Sequence, residues 1–348
     1  LALSMLAEVT GGDSRQQILD LLGEGTVESL RAQAKDLWLS AYRTGQTESL
    51  LANSLWLREG MTYRQETLDV LAKNYFASSF SGVMGTEAYD QALRNWINEQ
   101  TYGLLNEQAS GLALEPDTVL ALASTLYFKG EWRDAFAEFV TGTGTFHGPS
   151  GDVEADFMRN TVNDSFYWGD RFTAVALDYK LDGKMWLILP NEGTTADELL
   201  QSGEAMDFLL ADKGLTGDQQ DYAWPDQKET EIHLSVPKFD VSSDLDLIEG
   251  LKSLGITDVF DSSVSNFDPL GASTDDPLYV SQARHAARVK VDEEGCEAAA
   301  TTVINMNPGA APSPREEVFF TLDRPFLFAV TLDSGLPLFT GVVNQPNG

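Results

Sequence analysis

The chain has 348 residues, 43% of them hydrophobic and 10% aromatic, a composition that excludes a disordered chain and allows a large core in one domain or two. Its 23 basic and 54 acidic residues leave a formal charge of −31. Nucleic acid, heparin-like polyanions and anionic membranes need clustered Lys and Arg and are disfavoured as partners; the excess acid reads as solubility in a salty or extracellular setting.

In chain order, periodicity predicts helices over 1–22, 27–41, 63–76 and 89–105. The first opens at Leu1 already inside its apolar pattern, so an earlier segment, with any secretion signal, is expected to precede it. Strand-like runs follow at 118–128, 172–179, 184–189 and 230–236, then a helix at 244–254, then strands at 279–291, 318–320 and 326–343. Helices first and strands after predict an α+β fold around mostly antiparallel sheet. No run approaches the roughly 20 apolar residues of a membrane helix. Cys296 is the only cysteine, so no internal disulfide is possible, which fits either a reducing compartment or a bacterial secreted protein.

Catalytic motifs are missing. There is no G-x-S-x-G elbow, no phosphate-binding glycine loop and no H-E-x-x-H. His147, His233 and His285 lie far apart, none with a second ligand at metal spacing, so no metal or cofactor is expected. A Cys296/His285 nucleophile pair is disfavoured, because a small apolar thiol is adequate packing in a strand. Asn163-Asp164-Ser165 matches a glycosylation acceptor, a pattern common by chance.

The stretch from Asp292 to Arg315, DEEGCEAAATTVINMNPGAAPSPR, stands apart. In a strand, one face would carry Cys296, Ala298, Ala300, Thr302, Ile304 and Met306, and the other Glu297, Ala299, Thr301, Val303 and Asn305. The small residues suit insertion into a crowded site, and Gly295 suits a hinge through its tolerance of unusual backbone angles. Read from composition alone, an Ala-rich helical turn beside a linker fits as well. Pro308, Gly309, Pro312 and Pro314 then favour an exposed, extended segment of the kind proteases cut.

With these residues in view, the chain resembles a serpin, the serine protease inhibitor family. Segments in family order include LALSMLAEVTGGDSRQQIL at the start, NWINEQTYG (Asn95–Gly103), LALASTLYFKGEW (Leu120–Trp132), MWLILPNEG, VPKFDVSSDLDLIEGLKSLGITDVF, PLYVSQARHAARVKVDEEG, RPFLFAV and LPLFTGVVNQP. The resemblance, to an inhibitory member of prokaryotic type, implies an α+β serpin fold in a single domain over 1–348. About nine helices surround three mostly antiparallel sheets; the family's first helix is missing, and a reactive-centre loop spans about 293–317. It implies a hinge at Glu293, Glu294, Gly295, Cys296, Glu297, Ala298, Ala299, Ala300, Thr301 and Thr302, with the short residue and Glu-Ala-Ala that inhibitory members carry after the hinge glycine and without the breaks that mark non-inhibitory members. Cys296 stands where the family has Thr or Ser. In the sheet-opening region Ser124 stands where Asn is frequent, His285 holds the place of an imidazole that bonds across the sheet centre, and Trp132 lies where the loop enters.

The implied function is that of a suicide substrate rather than an enzyme. A protease cleaves the loop, remains bound as an acyl-enzyme, and is trapped as the loop inserts into the main sheet. The family's usual spacing, counted from the hinge, implies a bond at Gly309–Ala310, with Ala310–Ala311 second; counted back from Val318 and Pro325 it implies Ala311–Pro312, a poor bond for most serine proteases. Small residues there suit elastase-like or subtilisin-like serine proteases with a shallow primary pocket, with cysteine proteases as a secondary class. Arg315, followed by two glutamates, lies too far along. A monomer at the cell surface or outside the cell is expected, with the cytoplasm the alternative. The competing reading is a non-inhibitory serpin acting as a binding or chaperone-like protein.

Overall fold

The computed structural model describes residues 1–45, 47–211, 224–271, 277–296 and 316–346. In chain order its elements are α1 (Ala2–Val9), α2 (Gly12–Leu21), α3 (Val27–Ala41), β1 (Thr47–Arg58), α4 (Gln65–Asn74), β2 (Ala77–Gly82), α5 (Glu87–Gln100), α6 (Asn106–Ala109), β3 (Leu120–Glu131), β4 (Gly142–Gly148), β5 (Gly151–Trp168), β6 (Phe172–Asp178), β7 (Lys184–Pro190), α7 (Ala196–Gln201), α8 (Glu204–Leu210), β8 (Gln227–Pro237), β9 (Phe239–Asp246), α9 (Ile248–Ser253), β10 (Arg284–Val291), β11 (Gly295–Cys296), β12 (Glu317–Thr321), β13 (Phe326–Thr331) and β14 (Pro337–Val343). The chain forms two compact units, one of Leu1–Thr44, Ser49–Tyr127 and Ser243–Arg288, the other of Gly45–Glu48, Phe128–Ser242 and Val289–Gly348.

In the first unit, α3 starts at Thr26, whose hydroxyl accepts from the Ser29 N–H at 3.1 Å and satisfies one of the donors a helix start leaves open. The helix expected over 1–22 is two helices, parted at Thr10-Gly11, because Gly12 takes the left-handed φ of +54° that ends one helical run and starts another. Strand β1 pairs in parallel with β2 from Asn53↔Ala77 to Arg58↔Gly82. Its Trp56 is buried, stacked on Phe80 and edge-on to Tyr89 and Trp96. Glu8 of α1 is 5% exposed and is met by a two-pronged ion pair from Arg31, at 2.8 and 2.9 Å, and by the Tyr75 hydroxyl, which donates to it at 2.9 Å. A buried carboxylate needs such a set, since an unpaired one costs several kcal/mol.

In the second unit, eighteen-residue β5 pairs antiparallel with β4, with β8 from Phe157↔Pro237 to Tyr167↔Gln227, and at its last two residues with β6. Because one strand serves all three neighbours, two of the expected sheets form a single hydrogen-bonded network, ordered β12-β8-β5-β6-β7-β13-β14. Among the described residues its strand pairs are antiparallel except β12 with β8. Strand β13 shows why the core forms here: Phe326, Phe328 and Val330 enter one apolar cluster with Met185 and Leu187, while Leu327 and Ala329 enter another with Trp186, Ile188 and Phe208. A strand buried on both faces reads as a continuous apolar run, as FLFAVT does.

Candidate functional site

The described part of the expected hinge lies in the second unit. After Val291 the chain reverses through Asp292, Glu293 and Glu294. The Asp292 N–H donates to the Gly295 carbonyl at 3.0 Å, and the Asp292 carboxylate accepts from the Glu294 N–H at 3.0 Å, a local turn that aspartate favours. The returning residues form β11, paired antiparallel to Val291 of β10 on one side and to Gly130 and Glu131 of β3 on the other. The chain leading into residues 297–315 therefore enters between two strands.

Two glycines make this entry possible. A Cβ on Gly295 would lie 2.1 Å from the Gly130 carbonyl oxygen and 2.9 Å from the Glu131 Cα, and one on Gly130 would lie 2.7 Å from the Tyr179 ring. Gly295 does not carry a positive φ, which corrects the expected reason for this glycine: close backbone approach demands it, not an unusual angle.

Three successive carbonyls of the turn are held from one side. The Trp132 indole donates to Asp292 at 2.9 Å, the Trp132 backbone to Glu294 at 2.8 Å, and the Phe136 backbone to Glu293 at 3.0 Å. Trp132 is itself 1% exposed and stacks on Tyr179, with ring centres 4.9 Å apart and planes 8° apart. Cys296 is buried in the same core, beside Phe128, Phe136, Val289 and Val291. Burial, with the Cys296 thiol beside it, pushes the Tyr179 hydroxyl well above the ordinary phenol range.

The two glutamates of the turn, Glu293 and Glu294, are driven in opposite directions. Glu293 is 7% exposed; its carboxylate accepts from the Thr141 hydroxyl at 2.9 Å and lies 3.0 Å from the Lys238 ammonium. Burial works against its charge, but Lys238, the backbone and Thr141 outweigh it and hold the carboxyl below the usual range. Glu294 is pushed up, by burial first and then by the nearby carboxylates of Asp292, Glu138, Glu131 and Glu293. The site thus has a clamp, Glu293 with Lys238 and Thr141, and one strained charge.

Of the other sequence-derived residues, Glu297, Ala298, Ala299, Ala300, Thr301 and Thr302, and the bonds at Gly309, Ala310 and Ala311, lie outside the described residues. Ser124 and His285 are in the first unit and are exposed. Among the described residues neither makes a side-chain hydrogen bond. Asn163 lies inside β5 rather than in a loop. Lys238, Thr141 and Tyr179 were missed. Lys238 sits in the VPKF segment, but no local pattern reveals that it meets a residue 55 positions on.

Comparison with known proteins agrees with this architecture. The model of the family described as "Serpin (serine protease inhibitor)" matches residues 1–346. The chain belongs to the serpin family, which is described as one of serine protease inhibitors and not of enzymes. It is 29% identical over 363 residues to Serpin-Z2B of Triticum aestivum, covering 99% of this chain and 87% of that protein. It is 31% identical over 345 residues to Iripin-2 of Ixodes ricinus, covering 94% and 81%. The native state of tengpin, a thermophilic serpin, shares the fold with a TM-score of 0.85 at 24% identity, over 99% of this chain and 86% of that one.

Proposed function

We propose that this serpin is an inhibitor of suicide-substrate type, cleaved at Gly309–Ala310 by a serine protease with a shallow primary pocket, elastase-like or subtilisin-like, and acting at the cell surface or outside the cell. The observation that carries the reading is β11: the first hinge residues already pair with β3 on one side and β10 on the other. Strand addition that has begun at Gly295 and Cys296 can continue through Glu297-Ala298-Ala299-Ala300, whose side chains are small enough to enter without overpacking.

The protease serine attacks the carbonyl of Gly309, the amine of Ala310 leaves, and the inhibitor stays joined to the enzyme as an ester. The freed segment gains about a dozen backbone hydrogen bonds at roughly 1 kcal/mol each, comparable with the whole stability of a domain, about 5–15 kcal/mol. Work of that size displaces the tethered enzyme and distorts its active site before water attacks the ester.

Mixing the chain with pancreatic elastase and with subtilisin tests this. The expected product is a covalent band that survives SDS, with the new amino terminus at Ala310. Cleavage without a complex by every protease tried would sink the inhibitory reading and leave the binding or chaperone-like one.

A further inference from the structure

The sequence places the three histidines without metal partners, but the second unit gives His233 two. Glu231 and His233 are two apart on β8 and share a face. On the parallel neighbour β12, Glu317 pairs with Glu231 and Phe319 with His233. On the other side, Thr161 of β5 pairs with His233.

The imidazole is fixed from both flanks. Its Nδ1 lies 3.1 Å from the Thr161 hydroxyl, and its ring stacks on Phe319 with centres 4.6 Å apart and planes 17° apart. The far nitrogen, Nε2, is buried and has no hydrogen-bond partner. It lies 3.7 Å from the Glu231 carboxylate and 3.6 Å from that of Glu317, and the three ligand atoms all lie within 4.8 Å of one another.

A proton does not complete this arrangement well. At 3.6 and 3.7 Å an Nε2–H makes a proper hydrogen bond to neither carboxylate. Two glutamates directly opposite on paired strands also repel, and among the described residues no Lys or Arg pairs with either. A cation bound to all three atoms removes both faults. At metal–ligand distances of about 2.0–2.2 Å, tetrahedral ligands stand roughly 3.4 Å apart, within a few tenths of an ångström of the two spacings to Nε2. Glu317, with its side chain 60% exposed, is free to close the rest. With Nδ1–H donating to Thr161, the Nε2 lone pair is left for the metal, the usual outer-partner arrangement of a ligating histidine. One imidazole with two carboxylates is a donor set for Zn²⁺ rather than for Mg²⁺ or Ca²⁺, which take oxygen ligands.

We propose that Glu231, His233 and Glu317 form a binding site for a divalent cation of the zinc class, with a fourth position open to water, that clips β12 to β8. Because β12 opens at Glu317, directly after residues 297–315, the ion would pin the strand into which that segment runs.

The test is titration of the full chain with Zn²⁺ against a chromophoric chelator, with Co²⁺ as a visible-absorption probe. A single saturable equivalent is expected. Zn²⁺ should raise Tm by several degrees, as any ligand that binds only the folded state does, and Mg²⁺ at the same concentration should not. His233→Ala and Glu317→Gln should each abolish the tight equivalent and the Tm shift, while His147→Ala, at the exposed His147–Asp152 pair, should keep both. If His233→Ala fails to fold for want of its stack on Phe319, Glu317→Gln decides alone, because its carboxylate carries no hydrogen bond among the described residues. Binding spread over many weak sites, or a tight equivalent that survives Glu317→Gln, would overturn the proposal.

Discussion

A methyl group at position 295 would have to share space with the Gly130 carbonyl oxygen, 2.1 Å away. Gly295→Ala should therefore push β11 away from β3, at a cost of about 1–3 kcal/mol by overpacking, measured as a lower denaturation midpoint with an unchanged slope. Glu293 gives the pH dependence. Its folded pKa is depressed, so its contribution is present above the unfolded glutamate value of about 4.3 and is lost as pH falls through the lower folded value. Glu293→Gln should cost about 1–2 kcal/mol at pH 7, modest because Lys238 is 40% exposed and its pull is screened. The stability of the variant should also fall less steeply than that of the parent below about pH 4.5. Glu294, pushed the other way, favours folding only when protonated, so Glu294→Gln should raise Tm at pH 7; a lower Tm would contradict the crowding of charge described around it. Both glutamates stand in the sequence directly before Gly295, so their place in the turn ahead of β11 was legible. Their opposite roles were not, because Lys238 and Thr141 reach Glu293 across 55 and 152 positions of chain.

At the scale of elements, local patterns served where apolar residues mark a face. The helix over Val27–Ala41 was legible to the residue, since its start carries a Thr cap and its apolar spacing is regular. Strands buried on both faces, β7 and β13, were legible as apolar runs. Strand β5 was not: in RNTVNDS polar residues fill both sides of the alternation, and only pairing with β8 makes it a strand. The expected strand over 326–343 is two, since Asp333, Ser334 and Gly335 turn the chain, with Gly335 at φ +81°. The expected helix at 244–254 loses its first residues to β9, because the Asp244 carboxylate is taken by Arg284 of β10. For the proposed inhibition, the element that matters is the strand that would continue β11. Ala300→Pro removes a ladder donor in its middle, and complex formation with elastase should give way to simple cleavage. An unchanged yield of complex would refute the reading of 296–306 as an inserting strand.

For the whole molecule, charge is the dominant fact. A net −31 repels itself in any compact state, and salt screens that repulsion within roughly 10 Å at 0.1 M. Tm should therefore climb steadily from low salt to molar NaCl, and a flat profile would show that the acids are already neutralised by local partners. If the loop inserts, cleavage at Gly309–Ala310 should raise Tm further at every salt concentration, since the added strand is independent of surface charge. The burial of Cys296 against Tyr179 gives the unmodified chain its own stopwatch. It is the only thiol and it is shut inside the core. A dye that reacts with thiolates can therefore label the protein only during the moments when β11 has left its slot. At saturating dye the labelling rate is the opening rate of β11 itself, read without a mutation, a protease or a second label, and its slowing by any added ligand would time how firmly that ligand keeps β11 in its slot.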